Sequence, residues 1–80
     1  MRKVGDYEWN QVSVWDFTPA KCIEKFVKSD DGKHIFHYYL MRITEIKSDN
    51  QWSVETVKSL DNVPSDVLLW RNGSYKVKNA

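Results

Sequence analysis

Eighty residues leave room for one folding unit, taken here as a single domain over residues 1–80 with residues 1–5 and 79–80 frayed. A composition of 41% hydrophobic and 29% charged residues excludes a disordered chain, and a formal net charge of +1 weighs against a protein that grips nucleic acid through its overall field. The lone Cys22 excludes an internal disulfide and fits a reducing compartment.

The first predicted element is a strand over residues 7–17. Tyr7, Trp9, Val12, Val14, Trp15 and Phe17 are β-formers, and their broken alternation reads as a strand with apolar residues on both faces or with a bulge near Gln11. A helix is expected over residues 18–28. Thr18 suits the N-cap and Pro19 the first helical position, while Cys22, Ile23, Phe26 and Val27 fall on one helical face opposite Lys21, Glu24, Lys25 and Lys28. Ser29, Asp30, Asp31 and Gly32 then turn the chain.

A long strand over residues 33–47 and a partner over residues 51–60 follow. A two-residue loop between them would set Trp52 against Lys47 and Val54 against Glu45. A three-residue loop, Ser48, Asp49 and Asn50, instead pairs Ile46 with Trp52, Thr44 with Val54, Met41 with Val57 and Tyr38 with Leu60, and is the expected register. Near the end, Asn72 and Gly73 signal a type I′ hairpin that pairs Trp70 with Tyr75 and Leu68 with Val77. The competing reading is a short helix over residues 65–71. The expected fold class is α+β: a single helix on a curved, mostly antiparallel sheet of four to five strands, in the order β-α-β-β-β-β, which could curl into a small, partly open barrel.

Residues with catalytic potential do not assemble into a motif. His34 and His37 are three apart in a strand, so they point to opposite faces and cannot share a metal. Cys22 reads as a small buried hydrophobe. Asp30 and Asp31 suit a turn, and Glu45 with Glu55 a solvated sheet face. There is no Gly-rich phosphate loop and no nucleophile elbow. The chain is therefore expected to be no enzyme and to need no cofactor or metal.

The strand over residues 33–47 is apolar on both sides. Phe36, Tyr38, Leu40 and Ile46 match Trp52, Val54 and Leu60 across the hairpin and should meet the helix. Ile35, His37, Tyr39, Met41 and Ile43 then need a cover. Either the C-terminal hairpin closes over them, or they are a contact patch for a partner protein. A second candidate is a basic strip, Arg71, Lys76 and Lys78, on the outer face of the same hairpin. It would be a solvated edge or a phosphate contact.

These features favour a non-enzymatic binding protein that works through protein–protein contact. In size and lack of catalytic motifs it is similar to phage-encoded inhibitors or adaptors of larger host proteins, an analogy that rests on nothing else. The alternative is a single-stranded nucleic-acid-binding domain, with Tyr39 and His37 stacking bases beside Arg71 and Lys76. A homodimer through exposed strand edges is a separate option. The N-terminus shows no apolar run after Arg2 and Lys3, and no stretch is long enough to span a membrane, so a cytoplasmic protein is expected.

Overall fold

The structure, a computed structural model, describes residues 2–13, 18–72 and 74–79. The described residues form five strands, β1 (Tyr7–Val12), β2 (Lys21–Lys28), β3 (Ile35–Ser48), β4 (Gln51–Thr56) and β5 (Ser74–Asn79), and one short helix, α1 (Ser65–Leu68), followed by a single 3-10 turn, Trp70–Asn72. All pairings are antiparallel. The spatial order is β1-β3-β2-β5, with β4 paired to the far half of β3, and the sheet is not closed. The α+β class with one helix on an antiparallel sheet therefore holds, but the helix comes after the fourth strand, not after the first.

The segment expected to be a helix over residues 18–28 is the strand β2. Its residues from Cys22 to Lys25 are all buried, because β2 lies inside the sheet with β3 on one side and β5 on the other. Such a strand reads as a continuous run rather than an alternating one. The run Cys22, Ile23, Phe26 and Val27 is compatible with both periods, and Glu24 and Lys25 in its middle weigh against a strand until their partners are known. An isolated helix of that length is marginal, and edge-to-edge pairing decides the matter.

β1 pairs with β3 without a bulge, from Tyr7 opposite Arg42 to Val12 opposite His37. The expected continuation of this strand through residues 14–17 lies outside the described residues. Between β3 and β4 the expected pair Ile46 with Trp52 forms, but the loop is the two-residue one, Asp49 and Asn50, closed by Ser48 opposite Gln51. An extra residue at Lys47 shifts the register and removes the mismatch of Trp52 with Lys47. A second shift at Thr44 sets Ile43, not Thr44, opposite Val54, and Met41 faces Thr56 rather than Val57. β4 ends at Thr56, so Tyr38 and Leu60 do not pair.

Among the described residues the expected C-terminal hairpin pairing does not form, and Gly73 of its turn lies outside them. The sequence from Ser65 forms the short helix, the reading ranked second, and β5 pairs with β2 instead of folding back on residues 68–70. Residues 62–70 lie across one sheet face. Trp9 Nε1 donates to the Val67 carbonyl (3.0 Å), Tyr7 Oη to the Asn62 carbonyl (3.3 Å), and Lys25 Nζ to the carbonyls of Leu68 and Trp70. Under this cover Ile23, Val27, Tyr38 and Leu40 are buried. The Trp70 ring meets Tyr38 edge-on at 4.9 Å and stacks on Trp9 at 6.2 Å. No helix among the described residues is long and apolar enough to cross a membrane.

Candidate functional site

Strand alternation puts Ile35, His37, Tyr39, Met41 and Ile43 on the face opposite α1, as the period of two demands. Pairing across the sheet completes the neighbourhood. Phe26 lies beside His37, Glu24 beside Tyr39, and Ser74 and Lys76 come next on β5. These five residues of β3 are not equivalent. Ile43 is fully buried, Tyr39 and Met41 are half-buried, and Ile35 keeps 66% of its surface exposed. The C-terminal segment does not cover this face, since α1 lies on the other one. Thr18 does reach it, where its Oγ1 accepts a hydrogen bond from Lys78 Nζ at 2.9 Å.

At the Ile35 end the side chains form an ordered cluster. The His37 ring stacks on Phe26, with centroids 4.5 Å apart and planes within 5°. His37 Nε2 lies 3.1 Å from Glu24 Oε1, which fixes the ring orientation. Lys76 Nζ sits 5.3 Å from the Phe26 centroid, on cation–π terms. Phe26 is 40% exposed, and Ile35 stands two pairing positions further out on the same face, opposite Lys28. A cleft of about 540 Å³ opens beside this cluster, with Val12, Thr18, His34, Ile35 and His37 in its walls. The surface is therefore an apolar and aromatic patch with lysines at its rim and a concavity next to it.

His37 and Glu24 form a pair on this face. Cys22 lies on the same face but is fully buried, and burial, aided by the Glu24 carboxylate, pushes its thiol up and away from the reactive thiolate. No group of three or more His, Cys, Asp or Glu side chains that could hold a metal occurs among the described residues. Glu45 and Glu55 do not meet: Glu45 faces Ser53, and Glu55 faces Arg42 at 3.4 Å.

The predicted basic strip is divided. Lys76 and Lys78 share the second face on β5. Arg71 belongs to the helix-bearing face, where its guanidinium lies 4.5 Å from the Trp70 ring and its Nη1 donates to Tyr38 Oη at 3.0 Å. The three were expected together because a hairpin would have aligned them. A helical turn at residues 65–72 rotates Arg71 away. The nucleic-acid arrangement of His37 and Tyr39 flanked by Arg71 and Lys76 loses two of its parts in this way, since one face of the His37 ring is also taken by Phe26.

Sequence reasoning missed Phe26 and Glu24, which it placed on a helix, and Lys25, which it placed in solvent. The one available signal was that Cys22, Ile23, Phe26 and Val27 fit the spacing of a strand as well as that of a helix. No protein family matches the chain, and no curated protein or solved structure is similar to it.

Proposed function

We propose that this chain acts as a non-enzymatic binding module, docking on another protein through the patch of Ile35, Phe26 and His37 and the cleft beside it. The observation that carries this reading is the exposure of Ile35 and Phe26 on neighbouring strands at one end of the sheet face opposite α1. Contiguous apolar and aromatic side chains with a charged rim are the usual make-up of a contact centre, and a few such residues supply most of the energy of association. The neighbouring cleft can accept a side chain from the partner.

The test is a photocrosslinking residue placed at position 35, with a control at the exposed Lys47. In cells that produce the chain, a discrete protein adduct is expected from position 35 and none from position 47. Phe26→Ala should abolish the adduct while leaving the thermal midpoint within a few degrees. An adduct with nucleic acid, or equal labelling from both positions, ends the reading.

A further inference from the structure

β5 ends the sheet, and among the described residues its outer edge pairs with nothing. A free edge presents backbone N–H and C=O groups that can bond another strand. Its side chains alternate. Ser74, Lys76 and Lys78 lie on the second face, and Tyr75, Val77 and Asn79 lie on the helix-bearing face, with Tyr75 exposed.

The charge on this side of the sheet is one-sided. β2 and β5 together carry Lys21, Lys25, Lys28, Lys76 and Lys78 against the single acid Glu24, and that carboxylate is already engaged by His37. Lys25 is turned inward, and Lys78 keeps two donors beyond its bond to Thr18. A basic strand arriving at this edge is repelled, and a neutral one strips water from Lys76 and Lys78 without replacing it. A strand with carboxylates at every second position does neither. Lysines on the edge thus make it selective rather than closed.

We infer that β5 takes up an extended acidic segment of a partner protein as a further antiparallel strand. Carboxylates at alternate positions face Lys76 and Lys78, and the intervening apolar side chains lie against Tyr75 and Val77. Strand addition of this kind draws affinity from main-chain bonds and specificity from alternate side chains. The inference rests on the docking reading above and specifies the chemistry of what docks, since Ser74 pairs with Phe26 and so joins the edge to the patch.

The experiment uses the full chain and a fluorescent peptide of alternating Glu and Val as the probe. Anisotropy should show binding at low ionic strength that weakens with salt. An alternating Lys and Val peptide should not bind, and Lys76→Glu with Lys78→Glu should weaken the acidic peptide at least tenfold. The decisive comparison leaves the protein untouched: the same acidic peptide N-methylated at alternate backbone amides should lose binding, and the unmethylated one should slow amide exchange in β5. Equal binding of the methylated peptide, equal binding of an oligouridylate, or failure of the acidic peptide to bind overturns the inference. Phe26→Ala, made in the chain that carries the crosslinker at position 35, separates the two proposals. Peptide binding that survives it while the position-35 crosslink is lost supports the edge and the patch independently, and a crosslink without peptide binding sinks the edge alone.

Discussion

Lys25 puts an ammonium where strand β2 calls for a hydrophobe. It has no solvent exposure and donates to the carbonyls of Leu68 and Trp70, with the Trp9 ring 5.0 Å away. It thus satisfies carbonyls at the end of α1 that the short helix leaves open. Burial pushes its pKa below the ordinary lysine value of 10.5. The folded state therefore holds this proton less readily than the unfolded chain, and the Lys25 contribution to stability rises with pH from its folded-state pKa toward 10.5. Lys25→Ala should cost about 1–3 kcal/mol at neutral pH, since two carbonyls lose their donor. It should also remove the alkaline rise, read from urea unfolding at neutral and alkaline pH. Arg71 is the second unusual residue, with φ of 55° in a region that favours glycine. Arg71→Ala loses the guanidinium contacts and keeps the backbone strain, whereas Arg71→Gly loses the contacts and relieves it. The Gly variant should be the more stable of the two by about 1 kcal/mol in denaturation midpoints. At this scale the candidate site was half legible. Ile35, His37, Tyr39, Met41 and Ile43 share a face by strand alternation alone. Phe26 and Glu24 join them only because another strand is paired alongside.

Among the elements, β3 is the one the sequence announces without ambiguity: fourteen residues, apolar on both faces, which no helix of this composition would need. β2 and the segment from Ser65 are where local signals and the fold part company. Asn72 and Gly73 suggest a turn for local reasons, yet Trp70 gains more by packing between Tyr38 and Trp9 than by lying opposite Tyr75 on a hairpin. Trp70→Ala should therefore destabilise by about 3–5 kcal/mol, a large part of the roughly 4–12 kcal/mol that a chain of this size holds. Leu69→Ala, on the exposed side of the same turn, should stay within about 0.5 kcal/mol. Thermal melts followed by circular dichroism compare them directly, and equal losses would mean that the helix–sheet contact is not where the stability lies.

Over the whole molecule, the sheet is the core, and one short helical segment covers one of its faces. Cys22 reports on that arrangement. It lies on the second face, fully buried, with its thiol pushed up by burial. Its labelling by an aromatic disulfide should therefore be slow in native buffer and accelerate with urea in step with global unfolding. Labelling that outpaces unfolding would show that the second face opens locally. Composition and periodicity by themselves determined a small α+β chain, a long two-faced strand, the hairpin after it with Ile46 against Trp52, and which residues of β3 share a side. They could do so because those properties depend on neighbours two to a dozen positions apart. Only the tertiary structure decided that residues 21–28 are a strand, that Lys25 is buried, and that Arg71 parts from Lys76 and Lys78. Each of these depends on a partner more than thirty residues away, and a run such as Cys22 to Val27 fits either period until that partner supplies the hydrogen bonds and the carbonyls its charge requires.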